Sequence, residues 1–323
     1  MSSHRAHNIV ASVHQRLLNL AAKQQQPFQV LLTRYALERL LYRLGQSAEA
    51  SRFILKGALL FWLWDEHLHR ATRDLDLLGS GDNSVEHWEQ LFRSICSLPV
   101  EADGLVWLPE SVVVRQMRED EEYEGLRAQI EARLGNARIP VQVDIGFGDA
   151  VTPAALEAEF PTLLDFPAPR LRAYPRETVV AEKFWIMAQL GMANSRLKDF
   201  YDLWVLGHRF AFEGAVLAQA IQATFARRRT PLPSETPLAL TGLFGDDRSK
   251  QVQWQAFLSK GKLEVEASGL GAVVGFLQGF LLPPTLALPS EQPFALVWPA
   301  GGPWQEKAPE LQVPASGQQE AGQ

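Results

Sequence analysis

Phe53-Ile54-Leu55-Lys56-Gly57-Ala58-Leu59-Leu60 and, further along, Thr72-Arg73-Asp74-Leu75-Asp76-Leu77-Leu78-Gly79 are the two stretches that decide the fold. The first is a short apolar strand that stops at Lys56-Gly57. The continuous apolar run Ala58 to Trp64 follows it and reads as a buried helix. In the second stretch a period of two puts Leu75 and Leu77 on one face and Asp74 and Asp76 on the other. Paired in one sheet, the two strands turn both carboxylates toward a common cleft, beside a glycine turn with an ammonium and backbone N–H groups. Gly79-Ser80-Gly81-Asp82-Asn83 closes the element as a turn, and Val85 to Leu98 resumes as a helix.

Upstream lie two helical patterns, Ile9 to Lys23 and, after Pro27, Phe28 to Leu44. Arg34, Arg39 and Arg43 fall on the second helix's other face and are expected to be solvated. Downstream, Val112-Val113-Val114 and Val141-Gln142-Val143-Asp144-Ile145 are strand candidates. The charged segment Arg115 to Arg138 between them reads as a hairpin or a short helix. Alternation in the second strand sends Asp144 away from the core-facing Val141, Val143 and Ile145. Helices are expected over Arg176–Met192, Arg196–Leu206 and Ala215–Arg228, then Val252–Leu258 and Leu270–Leu282. The chain thus divides into N-terminal helices (1–50), an α/β core (51–170), a helical C-terminal domain (171–282) and a Pro- and Gly-rich tail (283–323) expected to be disordered.

Composition narrows the function classes. The chain has 323 residues, 31 basic and 37 acidic, for a net charge of −6. That balance argues against coating nucleic acid by charge alone, though not against a local basic cleft. One cysteine, Cys96, excludes a disulfide framework or a cysteine-rich zinc site and suits a reducing cytoplasm. No signal-like N-terminus is evident, and the apolar run Ala58–Trp64 is too short to cross a bilayer, so no membrane partner is expected. The histidines at 67, 69, 87 and 208 show no metal-ligand spacing.

Asp74-x-Asp76 with a third carboxylate, Asp144, on another strand is the donor set that two Mg²⁺ ions require. Hard cations prefer carboxylate oxygens and keep coordination sites for a substrate's phosphates. Asp-x-Asp by itself is weak evidence, since a solvated surface strand can carry it. Its apolar neighbours Leu75, Leu77 and Leu78 make that reading poorer. Lys198, Asp199 and Asp202 occupy helical spacing with Phe200, Leu203 and Trp204 on a buried face. Arg227-Arg228-Arg229 is the clearest basic cluster, explained either by a helix dipole or by RNA contact. Lys183 sits on a helix anchored by Val179, Val180, Phe184 and Met187, whereas Lys250 lies in the polar stretch Asp246–Gln251 without such an anchor.

Taken in order, several motifs resemble the AbiEii/AbiGii-type toxin nucleotidyltransferases of type IV toxin–antitoxin and abortive-infection systems. They are Phe53 to Leu60, Arg70-x-Thr72-Arg73-Asp74-Leu75-Asp76, Val143-Asp144-Ile145-Gly146-x-Gly148-Asp149, Glu177 with Glu182-Lys183, and Arg196-x-Lys198-Asp199-Phe200-Tyr201-Asp202. The resemblance spans roughly residues 30 to 282. It implies an α/β (α+β) DNA polymerase β-like nucleotidyltransferase fold, with a mixed sheet in the N-terminal half and a helical C-terminal half. It further implies Asp74, Asp76, Lys183, Asp199 and Asp202 as catalytic residues, and Asp74, Asp76 and Asp144 as metal ligands. Lys56, Gly57, Arg73 and Lys198 would bind the nucleotide. Mg²⁺ would be the cofactor, an NTP the substrate, an RNA such as tRNA the acceptor, and an antitoxin the partner, in the cytoplasm. Ala58 stands where many members have a second Gly or a Ser. The alternatives are a small-molecule acceptor, or a catalytically silent partner-binding protein of the same fold.

Overall fold

The computed structural model describes residues 2–65, 70, 72–119, 123–263, 265, 269–290 and 293–307. Histidines 67 and 69 and the far end of the tail lie outside them. Two helices open the chain, α1 (Ser2–Lys23) and α2 (Phe28–Gln46), followed by β1 (Phe53–Lys56), α3 (Leu60–Trp64), β2 (Asp74–Gly79) and α4 (Val85–Ser97). Strands β3 (Leu105–Glu119), β4 (Tyr123–Leu134) and β5 (Ala137–Phe147) come next, then β6 (Leu156–Glu159) and β7 (Arg170–Ala173). The helical half holds α5 (Arg176–Leu190), α6 (Leu197–Arg209), α7 (Gly214–Arg227), α8 (Gly242–Gly245), α9 (Arg248–Gly261) and α10 (Leu270–Ala287). A small ribbon of β8 (Phe212–Glu213) and β9 (Val297–Trp298) completes the described elements.

Among these residues the main sheet has seven strands in the order β3-β4-β5-β2-β1-β7-β6. It is mixed: β1–β2, β3–β4, β4–β5 and β6–β7 run antiparallel, while β2–β5 and β1–β7 run parallel. Arg115–Arg138 is therefore the body of a hairpin, not a helix. One face of the sheet is apolar, carrying Leu55, Leu75, Leu77, Ala128, Val143 and Ile145, all buried. Helices α2 and α4 pack against the sheet. Gly45 lets α2 approach closely, since a Cβ there would sit 2.4 Å from the carbonyl oxygen of Arg170.

The arginines of α2 depart from expectation. Arg39 and Arg43 are buried. Arg39 donates to Asp103 (3.4 Å) and the Pro167 carbonyl (2.8 Å), Arg43 donates to the Leu98 carbonyl (2.7 Å), and the Arg34 guanidinium stacks 4.3 Å from the Trp62 ring. Helical spacing registers which positions share a face, but not that loops on either side of the sheet fold over that face and offer it acceptors.

The core is continuous from Val13 to Trp298, across the boundaries expected near 50, 170 and 282. The last boundary is a correction. α10 does not stop at Leu282 but runs through Pro283 and Pro284, and residues 293–307 dock on it. A proline at 284 cannot donate to the carbonyl of Phe280, which would leave an acceptor orphaned. The indole N–H of Trp304 donates to that carbonyl at 3.0 Å, while the Thr285 hydroxyl donates to the Leu281 carbonyl at 2.6 Å. Trp298, buried, lies 4.9 Å from the Phe280 ring and donates to the Gly207 carbonyl at 2.7 Å. α10, rather than Ala58–Trp64, is also the longest apolar element. By length and mean hydropathy (1.6) it could cross a bilayer, yet half of it is buried inside the protein, where it packs against α6, α7 and α8.

Two measurements follow. Trp298→Ala should cost about 3–5 kcal/mol, as for a buried aromatic, and Trp304→Phe about 1–3 kcal/mol for an acceptor left unpaired. Chemical denaturation that shows no loss in either variant would mean the segment does not dock. The second concerns Glu38, buried on α2 beside Arg39 and accepting from the Leu163 N–H at 2.7 Å. Burial pushes its carboxyl up from 4.5 to about 7. The folded state therefore holds the proton more tightly, and stability present below the unfolded value is lost as pH rises through the folded one. Glu38→Gln should lack that loss and gain on the wild type by about 2–3 kcal/mol between pH ~5 and ~8 in urea unfolding. A gap that does not change with pH would refute the assignment.

Candidate active site

The site grows from strand register. In the antiparallel β1–β2 pair Lys56 faces Asp76, and in the parallel β2–β5 pair Asp76 faces Asp144. On the next strand Arg127 faces Asp144, and on β3 Arg115 faces Arg127. Residues opposite one another share a face, so one rung of the polar face reads Lys56, Asp76, Asp144, Arg127, Arg115. The neighbouring rung reads Asp74, Gln142, Gln129, Val113. Alternation places both rungs opposite the buried aliphatic face, as the sequence predicts for Asp74, Asp76 and Asp144.

Gly57 makes the first rung possible. Its φ is +74°, and a Cβ there would lie 1.9 Å from Oδ2 of Asp76. The turn after β1 thus presses bare backbone against the carboxylate. Burial, together with the charges of Asp144 and Asp74 and against those of Lys56 and Lys198, pushes the Asp76 carboxyl up to about 6. Burial and the Asp144 charge likewise raise Asp74. Two carboxylates held against their own repulsion fit a cation. Among the described residues, however, no three His, Cys, Asp or Glu side chains come together closely enough to enclose one. Asp144 stands where expected, but both its oxygens accept from Arg127, at 2.7 and 2.8 Å, and Gln142 donates to it at 3.3 Å. In this arrangement it braces the sheet face, and only Asp74 and Asp76 of the expected trio are open to a metal.

The lysines are more tightly held than their motifs suggest. Lys56 lies 2.7 Å from Asp149 and 3.5 Å from Glu182. Burial would lower its pKa, and those two carboxylates reverse the sign and raise it. Burial would raise Asp149, but Lys56 and Arg228 hold it below the usual carboxylate range. Arg228 reaches Asp149 at 3.0 Å while stacking 4.2 Å from the Trp185 ring, and Arg227 donates to the Gly148 carbonyl. Two members of the basic cluster at the end of α7 are thus tied to the Gly148-Asp149 turn beside Lys56, while Arg229 is exposed.

Lys183, on α5, lies 2.5 Å from Asp199 and 2.8 Å from Asp202 of α6. Asp202 also takes both arms of Arg70 (2.8 and 2.9 Å), and Asp199 accepts from Arg196 at 2.8 Å. Both carboxylates are buried. Burial would lower Lys183, and Asp199 and Asp202 overcome it and raise its pKa. Burial would raise Asp199, and Lys183 and Arg196 hold it low. This five-residue network carries the helical half toward the sheet through Arg70, whose charge also reaches Asp76. Lys198 and Arg73 remain exposed, Lys198 acting on both Asp74 and Asp76 and Arg73 on Asp74.

Arg228, which the sequence places in a cluster serving a helix dipole or RNA contact, pairs with Asp149, and Asp149, Glu182, Arg70 and Arg127 join the site without a role read from the sequence. Three of them sat inside quoted motifs. What was missing was the tertiary register that makes them partners of Lys56, Asp202 and Asp144. Lys250 is a further departure: it is buried, and its ammonium donates to the Asn194 carbonyl at 2.8 Å.

The family described as nucleotidyl transferase AbiEii toxin, type IV TA system, matches residues 39–275. No curated protein matches the chain. Among solved structures, JHP933 from Helicobacter pylori is 14% identical with a TM-score of 0.40, covering 81% of this chain and 97% of its own. A putative nucleotidyltransferase from H. pylori is 14% identical with a TM-score of 0.36, covering 72% and 96%. With the family match spanning most of the sequence, including both Asp-bearing strands and the α5–α6 network, the chain belongs to the AbiEii nucleotidyl transferase toxin family of type IV toxin–antitoxin systems.

Proposed function

We propose that the protein moves a nucleoside monophosphate from an NTP to a hydroxyl of an RNA such as tRNA, with release of pyrophosphate, in the cytoplasm and under restraint by an antitoxin. The observation that supports this most is the packing of the Asp76 carboxylate against the bare backbone of Gly57, beside Asp74. Asp74 and Asp76 would hold Mg²⁺, which when bound neutralises charge on the phosphates and polarises the reacting oxygens. Gly57 and Lys56 form the wall beside the triphosphate. The Lys56 charge is partly shared with Asp149 and Glu182, so it acts as a fixed dipole rather than a mobile cation. Lys183 is held likewise between Asp199 and Asp202. Lys198, exposed and acting on both aspartates, is the cation able to follow charge onto the leaving pyrophosphate, and Arg73 acts on Asp74 as well. Asp199 and Asp202 work by positioning Lys183 and Arg70.

The polar face favours RNA over a cationic small molecule. Glu131, the carboxylate next along β4, already pairs with Arg133 and Arg138, and exposed Arg73 would repel a polyamine-like acceptor. A silent protein has no use for two carboxylates held against their repulsion.

Incubation with each α-labelled NTP and total cellular RNA should place label in an RNA band. Asp74→Asn and Asp76→Asn should lower that transfer by at least about 10²-fold with little change in melting temperature. Retention of more than a tenth of the rate by either variant would remove the metal assignment. Gly57→Ala should lose transfer similarly, because its methyl group must displace the Asp76 carboxylate. Wild-type turnover in Gly57→Ala would show that the turn does not set the site.

A further inference from the structure

A groove of about 430 Å³ opens on the polar sheet face beside Asp74, lined among others by Arg73, Ser111, Gln129, Glu131 and Gln142. It is neither the Gly57 side of the site nor the α5–α6 network. We propose that this groove seats the acceptor, holding the terminal nucleotide of a single-stranded RNA so that its hydroxyl meets the reaction centre at Asp74. The proposal rests on the nucleotidyl-transfer reading above and gives it a second substrate site.

Direction along the strands is the first argument. Gly57 packs on Asp76, and Asp74 lies two residues back along β2, about 7 Å away at strand rise. Phosphoryl displacement needs the attacking and leaving oxygens roughly in line. With the triphosphate on the Gly57 side, the attacking hydroxyl must come from the opposite side, over Asp74, where the groove begins. The bond formed is from the acceptor oxygen to the α-phosphorus, the bond broken is that to the pyrophosphate, and the hydroxyl proton leaves to solvent.

Chemistry is the second. The rung behind Asp74 brings Gln142 and Gln129 to the groove, two primary amides able to donate and accept, and the next rung on that face adds the exposed ring of Pro140. Amides read the edges of unstacked bases, and an apolar surface takes a base face. Exposed Arg73 lines the groove, where a guanidinium can meet a backbone phosphate, and the one carboxylate there besides Asp74, Glu131, is offset by Arg133 and Arg138. The volume lies in the range of single small-ligand sites. The floor is rigid: the Ser111 hydroxyl donates to the Leu108 carbonyl and accepts from the Glu131 N–H, pinning the irregularity in β3 between Leu108 and Val113.

Gln129 is exposed on β4 and can be changed without disturbing the core. Gln129→Ala should raise the half-saturating concentration of total cellular RNA about three- to tenfold in the labelled-NTP assay, and Gln129→Glu more, with half-saturation for NTP unmoved. In fluorescence anisotropy a labelled single-stranded 12-mer RNA should bind wild type and weaken in the same order. Unchanged RNA half-saturation would overturn the proposal, as would a rise for NTP alone. If wild type transfers nothing but binds the 12-mer and loses it with Gln129→Glu, the groove stands and the transfer reading falls. If the variants bind the 12-mer like wild type, the groove falls whatever the transfer assay shows.

Discussion

The site depends on a contact between a carboxylate and a residue with no side chain. The antiparallel pairing of β1 and β2 puts Lys56 opposite Asp76, and the turn that follows folds Gly57 back onto Asp76 so closely that only hydrogen fits. The charged groups on that side of the sheet answer the consequence. Asp76 is half-buried, and desolvation together with the charges of Asp144 and Asp74 raises its pKa to about 6. That concentration of negative charge needs nearby cations. Lys56, Lys198 and, through Asp202, Arg70 all act on it.

The cations differ in how they are held, and that difference divides the site. Lys56 and Lys183 are each locked by two acidic side chains, so their orientation was settled during folding and costs no reorganisation when a charged substrate arrives. Truncating one partner in either cluster leaves an uncompensated buried charge, which is far more disruptive than losing a surface pair. Exposed Lys198 and Arg73 carry little of that structural burden. One class shapes the walls and the other can respond to a ligand.

How much of this was legible in the sequence follows from range. Asp74 and Asp76 were readable because a period of two is local, and Leu75 and Leu77 between and beyond them settle which face is buried. The α5 and α6 helices were readable for the same reason. Arg127 was not, because its partnership with Asp144 requires knowing that β4 pairs with β5 in the register that sets those two residues opposite. Arg39 and Arg43 were misread as solvated because their acceptors, at Asp103, Pro167 and Leu98, come from distant loops. Residues 283–290 and 293–307 depart from the expected tail because composition counts prolines as breakers. Here the acceptor left by Pro284 is met by Trp304, twenty residues later, which no local pattern contains.

The same logic explains why the two halves form one body. A sheet with one apolar face needs helices on that face only, and α2 and α4 pack there. The opposite face carries Lys56, Asp76, Asp144 and Arg127 on one rung and Asp74, Gln142 and Gln129 on the next. The two halves share the continuous apolar core, with Trp64 of α3 against Phe210 at the end of α6, and ion pairs join them on the polar side: Lys56 to Glu182, and Arg70 to Asp202. Apolar contact supplies the attachment, and the ion pairs, being directional, fix how Lys56 and Arg70 stand relative to Asp76. The groove beside Asp74 is lined by sheet residues of β2, β3, β4 and β5 and by Arg73 just before β2, so the acceptor proposed for it would rest on rigid strands, apart from the ionic network of α5 and α6.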